Sequence, residues 1–350
     1  MKISQMLKRE DFYTINEKTL NEYFKEGGPE KTNLYIYPEL NAIVTARPSR
    51  QVIDYLLCEY SVRGSKAKQL AVRGYVQGCL KSFGLLSDKK CTVKGRVSPD
   101  VLIYPCNKKY RVFDFDRKNV DVIAKYGFDD SDLQHEIAFR KRNDLPGFVP
   151  GFVACSGNGY REAIIDGRPL ARISEGFESL RDQAYAMLLE YGAHQQKHIP
   201  VNAYATELQA EIICLLQKKA DNAAAVMEIA KRLVELAGSE GEVTLTFSHG
   251  DLQVGNIWVE NGTNKIFIID WETWGTRSVW YDRATLYQGL RPGDIERYLT
   301  VEVPVLERAI VLLEDVIFHL HELNSLPEDF GMEQFRQYCD GVARWVKIGA

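Results

Sequence analysis

Phe247-Ser248-His249-Gly250-Asp251-Leu252-Gln253-Val254-Gly255-Asn256-Ile257-Trp258-Val259 and, just beyond it, Lys265-Ile266-Phe267-Ile268-Ile269-Asp270-Trp271-Glu272 interrupt an otherwise helical C-terminal half. Two short β-branched runs flank the turn Glu260-Asn261-Gly262-Thr263-Asn264, whose Asn-Gly pair favours a tight hairpin. A hairpin brings the residue before its first strand near the residue after its second. Asn256 and Asp270, fourteen positions apart, are therefore expected to converge, with Asp251 on the preceding loop. Two carboxylates and an amide oxygen gathered this way suit Mg²⁺, a hard cation that takes oxygen ligands and water. The remaining carboxylate is then free to orient a hydroxyl.

Working outward, the chain divides by texture. Residues 1–90 read as mixed structure ending in two helices, at about Ser49–Val62 and Lys66–Phe83, separated by the turn Arg63-Gly64-Ser65. From Cys91 the chain becomes strand-like through Val101–Tyr104, Tyr110–Phe115 and Val120–Tyr126. A helix follows at about Ser131–Arg142. Strands near Phe148–Cys155 and Tyr160–Ile165 are joined by the hairpin signal Gly157-Asn158-Gly159. After Asp166–Pro169 the texture turns helical, one helix covering much of Ala203–Leu236. Strand-rich and helical regions segregated along the chain make an α+β protein, not an alternating doubly wound one. The expected domains are an N-terminal extension over 1–90, docked on a small sheet lobe over 91–167, and a larger helical lobe over 168–350.

Composition sets the outer limits. The 350 residues are 45% hydrophobic and 26% charged, with a formal net charge of −4, which argues against nucleic acid as a general partner. The first hundred residues carry 17 Lys and Arg against 11 Asp and Glu; the rest carry 27 against 37. No apolar stretch approaches the roughly 18 residues needed to span a bilayer. The seven cysteines are scattered without a CxxC pair, so a reducing, cytoplasmic setting is expected. Oligomeric state is left open.

His249-Gly250-Asp251-x-x-x-x-Asn256 followed by Ile268-Ile269-Asp270-Trp271-Glu272 resembles the catalytic loop and metal-binding segment of the aminoglycoside phosphotransferase and choline kinase superfamily, small-molecule relatives of protein kinases. The resemblance runs from about Cys91 and is diffuse beyond Leu286. It implies a bilobal, protein-kinase-like fold and transfer of a phosphoryl group from ATP, with GTP left open, to a hydroxylated small molecule. In these terms Asp251 orients the hydroxyl and accepts its proton, while Asn256 and Asp270 hold Mg²⁺. The resemblance requires a lysine on the third strand of the small lobe and a glutamate on the next helix. Lys125 and Glu136 fill those places, Glu136 sharing a helical face with Leu133, Ile137 and Arg140. Backbone groups around Ala163–Ile165, at the hinge, would meet adenine. Tyr281-Asp282 resembles the family's aspartate that braces the catalytic loop.

Other features read more plainly. The turn Pro105–Lys109 has no glycine, so it is a poor anion nest, and Lys108 and Lys109 read as solvated turn residues. Asp315, His319 and Glu322 share a helical face that reads as solvated. His194 and His198 read as packing or capping residues, and Trp271, Trp274 and Trp280 as core. A kinase-like nucleotide-binding or regulatory module without catalysis is the alternative. Phosphorylation of a protein is disfavoured because no Ala-Pro-Glu segment follows Asp270.

Overall fold

The computed structural model describes residues 10–25, 27–60, 66–156, 159–216, 223–291, 295–326 and 331–348. They form two compact units, Met1–Leu180 with Ile257–Ile269, and Arg181–Asn256 with Asp270–Ala350. The expected turns at 63–65 and 157–158 lie outside the described residues.

In the first unit the elements run α1 (Glu10–Phe24), β1 (Lys31–Tyr37), β2 (Ala42–Thr45), α2 (Arg50–Glu59), α3 (Lys66–Lys81), β3 (Lys89–Lys94), β4 (Val101–Pro105), β5 (Lys109–Asp114), β6 (Asn119–Ala124), α4 (Ser131–Arg140), β7 (Phe152–Ser156) and β8 (Gly159–Ala163). The eight strands make one antiparallel sheet in the order β3-β1-β2-β4-β5-β6-β8-β7. A second sheet of three strands joins β9 (Gly167–Pro169), β12 (Ile257–Glu260) and β13 (Ile266–Ile268). The N-terminal segment thus holds the expected helices and, in addition, three strands that the sequence reading left undefined. β2 pairs directly with β4, Ile43 opposite Ile103 and Val44 opposite Leu102.

Strand alternation gives the sheet two apolar faces. Val44, Leu102, Phe113 and Val122 pack with Val52 and Leu56 of α2, Leu80 of α3 and Leu133 of α4. Leu34, Ile36, Ile43, Ile103, Val112 and Ile123 form the other face, covered by Leu20 of α1. Ser49 starts α2 where expected, its Oγ accepting the Val52 N–H.

The second unit is mainly helical. Its elements are α5 (Phe177–Gly192), β10 (Lys197–Pro200), α6 (Val201–Leu216), α7 (Ala223–Ala237), β11 (Glu242–Ser248), β14 (Gly275–Ser278), α8 (Tyr281–Tyr287), α9 (Ile295–Leu299), α10 (Val305–Ser325) and α11 (Met332–Ile348). The single helix expected over 203–236 is two, with 217–222 outside the described residues. Leu208, Ile212, Ile229, Leu233, Leu312, Val316 and Val342 share its core. α10 runs through that core, so its charges must be satisfied internally. Glu314 accepts from the Ser278 N–H and hydroxyl, at 2.6 and 2.7 Å, and from the Tyr204 hydroxyl at 2.7 Å. No described helix is long and apolar enough to cross a membrane. An antiparallel sheet in one unit and a mainly helical second unit make the expected α+β class.

Because β2 covers one edge of β4, a chain starting at Cys91 is expected to be insoluble or to melt well below the intact protein. Ile43→Ala should cost about 2–5 kcal/mol in denaturant unfolding. A soluble truncated chain that melts like the whole would show that residues 1–90 add nothing to the sheet.

Candidate active site

The loop that interrupts the helical half begins where β11 ends. Gly250 sits at φ +85°, and a Cβ there would lie 2.2 Å from the Thr273 carbonyl oxygen. Only glycine fits. The turn is fastened from α8: Asp282 accepts the N–H groups of His249 and Gly250 at 2.9 and 3.1 Å, one on each carboxylate oxygen. His249 is fully buried against Trp271, ring centroids 4.4 Å apart, and its Nδ1 accepts the Asp251 N–H at 3.2 Å. The histidine therefore shapes the loop, and Asp282 has the bracing geometry expected of it.

Asp251 is gripped asymmetrically. Its Oδ2 accepts from Gln253 Nε2 at 3.0 Å and Asn256 Nδ2 at 3.2 Å. Asn256 Nδ2 also donates to the Asp251 carbonyl oxygen, at 2.9 Å. With its amide nitrogen committed to Asp251, Asn256 turns its Oδ1 the other way. Burial pushes the Asp251 carboxyl up to about 7; Arg291 pulls it down, and Asp270 pushes it up again. That influence places Asp270 in the same electrostatic neighbourhood as Asp251.

The β12–β13 hairpin pairs Ile257 with Ile268, so Asn256 and Asp270 leave its two ends on adjacent strands, as the sequence implied. Asp270 has left-handed backbone, φ 72° and ψ 57°, uncommon for a residue with a side chain. A carboxylate oxygen of Glu272 lies within 4.8 Å of one of Asp270. Asn256, Asp270 and Glu272 thus offer an all-oxygen donor set, the kind that fits Mg²⁺.

Behind Asp251 lies a group that no sequence pattern suggested. Arg291 approaches Asp251 Oδ1 through Nε at 3.6 Å and binds Asp315 on α10 through Nη2 at 2.6 Å. Asp315 is wholly buried, so the face read as solvated is not. Burial raises its carboxyl, but Arg291 and His319 outweigh that and hold it below its ordinary value. Burial drives His319 down to about 4.

In the first unit the lysine of Glu136 is not the one expected. Glu136 is fully buried and pairs with Lys109 Nζ at 3.0 Å, while the Tyr160 hydroxyl donates to it at 2.8 Å. Lys125 instead donates to the carbonyl oxygens of Cys106 and Asn107 at 2.5 and 3.1 Å, beside the rings of Tyr110 and Phe128. Burial lowers its ammonium to about 8.

Strand parity explains the exchange. On β6 the residues facing α4 are Val120, Val122 and Ala124, so Lys125 falls on the other side. Lys109 lies opposite Ala124 on β5 and faces the helix. Both lysines read as solvated turn residues are in fact buried, Lys108 pairing with Asp132. Arg140 and Arg111 complete the cluster by pairing with Glu162 at 2.7 and 3.6 Å.

At the hinge the N–H of Ala163 is held by the Gly151 carbonyl and that of Ile164 by the Lys118 carbonyl, while the Ile165 carbonyl accepts from Gly167. Trp271 is buried, a core position as read, whereas Trp274 is half-buried and stacks on Phe247 at 5.8 Å. His194 and His198 are exposed, in a short 3-10 turn and on β10, and His198 Nδ1 lies 3.0 Å from the Thr244 hydroxyl.

Residues 170–309 match the model of the phosphotransferase enzyme family, the superfamily that the loop resembles. Three solved structures illustrate what the chain is similar to. One is a thermostable mutant of the aminoglycoside phosphotransferase APH(4)-Ia, at 15% identity over 72% of this chain and 95% of that one, TM-score 0.49. Another is an ethanolamine kinase from Plasmodium vivax, at 14% identity over 86% and 95%, TM-score 0.44. The third is choline kinase LicA from Streptococcus pneumoniae, at 17% identity over 71% and 92%, TM-score 0.40. Comparison with curated protein sequences gives no match.

Lys109→Met leaves a buried Glu136 without its lysine and should cost about 3–5 kcal/mol of stability. Lys125→Met should cost less, because it removes an ammonium that burial already disfavours. Denaturant melts of the two variants check the order; a larger loss at Lys125 would contradict the exchange.

Proposed function

We propose that this chain is an ATP-dependent phosphotransferase that moves the γ-phosphoryl group onto a hydroxyl of a small molecule. The observation that carries the reading is the split use of the Asp251 carboxylate. Two side-chain amides hold Oδ2, while Oδ1 is buried with no hydrogen-bond partner among the described residues. A carboxylate held in one orientation this way, with its side chain still 20% exposed, is suited to accept a proton from an incoming hydroxyl. The match of residues 170–309 to the phosphotransferase enzyme family supports the same chemistry.

Each group then has a task. Asp251 orients the acceptor hydroxyl and takes its proton. Asn256, Asp270 and Glu272 would hold Mg²⁺, which supplies charge neutralisation on the phosphates. Within the first unit Lys109, fixed by Glu136, takes the place that the family pattern gave to Lys125. Backbone groups around Ala163–Ile165 that are not already bonded within the chain would meet adenine. Such a reaction needs little covalent chemistry from the protein, so alignment and electrostatics are the main contributions.

The reading is tested by measuring ADP release from MgATP and GDP release from MgGTP with a panel of amino alcohols, sugars and aminoglycosides. Acceptor-dependent release supports it. Tight nucleotide binding without release would point to a regulatory module instead. Asp251→Asn is expected to keep ATP binding and lower kcat by roughly 10²–10⁴-fold; near-normal turnover would remove Asp251 from the mechanism. Asp270→Ala should abolish the tightening of ATP binding by Mg²⁺ in calorimetry. Full tightening in that variant would show that Asp270 is not a ligand.

A further inference from the structure

Arg291 is a buried cation whose contacts divide into two sides. On one side Nη2 binds Asp315 Oδ1 at 2.6 Å and the Tyr281 hydroxyl at 3.2 Å, and the guanidinium lies 3.9 Å from the Phe318 ring centroid. On the other side Nε faces Asp251 Oδ1 at 3.6 Å, and neither atom has a hydrogen-bond partner among the described residues. The Arg291 side chain is only 6% exposed and that of Asp315 not at all. A guanidinium presents its donors in a rigid planar fork. Once Asp315, Tyr281 and Phe318 fix one edge, the direction of Nε is fixed as well.

The separation of 3.6 Å then matters. It is close enough for a strong attraction between buried charges, yet too long to occupy an oxygen lone pair as a hydrogen bond would. Oδ2 is already committed to Gln253 and Asn256. The carboxylate is thus held from both of its oxygens, and its plane is fixed.

We propose that Arg291 is the positioning residue of Asp251, clamped by Asp315 so that the carboxylate is held in the orientation in which it receives the acceptor's proton. The assignment rests on the phosphotransferase reading above. As the acceptor oxygen bonds to the γ-phosphorus, its proton passes to the Asp251 carboxylate. The bond from that phosphorus to the β–γ bridging oxygen breaks, and ADP leaves with the electron pair. Asp315 touches no reacting atom and acts through Arg291.

The test compares wild type, Arg291→Met, Arg291→Lys, Asp315→Asn and the Arg291→Met/Asp315→Asn double variant. ADP release from MgATP is measured with water and with the acceptor panel as phosphoryl acceptors, per folded molecule as counted by thermal melting. A displaced carboxylate should lower kcat by roughly 10²-fold in Arg291→Met and leave KM for ATP unchanged. Arg291→Lys should recover part of the loss. Asp315→Asn should lower kcat too, and the double variant should be no slower than Arg291→Met, because the second change acts through the first.

Wild-type kcat in a folded Arg291→Met or Asp315→Asn protein overturns the assignment. So do losses that multiply in the double variant, or losses that vanish on correction for folded fraction. If Arg291→Met does not fold, Arg291→Lys and Asp315→Asn decide by the same kcat criterion. No ADP release from wild type under any acceptor overturns the phosphotransferase reading and this assignment with it. Release that survives at Arg291 overturns this assignment alone.

Discussion

The two hydrogen bonds from the His249 and Gly250 N–H groups to Asp282 are the contact on which the loop depends. They hold a turn that only glycine can make at position 250, just after β11. With the turn fixed, His249 meets Trp271 and receives the Asp251 amide, which sets where the Asp251 side chain begins. Asn256 then closes the loop onto both the backbone and the carboxylate of Asp251. Each bond is individually modest, about 1 kcal/mol net. Their order along the chain makes the geometry of Asp251 a consequence of the fold.

The first unit solves a different problem. Glu136 on α4 and Glu162 on β8 meet between the helix and the sheet, where an unpaired carboxylate would be costly. Lys109, Arg111 and Arg140 compensate them, and Tyr160 donates to Glu136 as well. Such a cluster is at best a modest source of net stability, because desolvation offsets most of its attraction. Its value lies in fixing side-chain positions. A lysine held against a buried glutamate is pre-set in direction, which would lower the ordering cost of any ligand it meets.

The shape of the 247–272 loop and hairpin was legible in the sequence because it is local: a glycine, two aspartates and an asparagine at fixed spacing around an Asn-Gly turn. Glu136 was legible through helical period, since it shares a face with Leu133, Ile137 and Arg140. Lys125 misled because a lysine at the end of a third strand satisfies the pattern, while the facing side is decided by parity. Pairing Asp114 with Asn119 across the β5–β6 turn would have placed Lys109 opposite Ala124. The β1–β3 and β2–β4 pairings were hidden because the partners are separated in the chain by two helices. Arg291 carried no signal at all. It follows a loop, and its significance comes only from Asp251 forty residues upstream and Asp315 on a later helix.

The central claim is that this loop directs a phosphoryl group from nucleotide to a small hydroxylated acceptor. Its most direct test is phosphorus-31 NMR of a reaction mixture containing protein, MgATP and a single acceptor. The account predicts a new phosphomonoester resonance on the acceptor that grows in equal amount with ADP and is absent without protein. ATP that stays intact in every mixture, or is consumed only to inorganic phosphate, would contradict it.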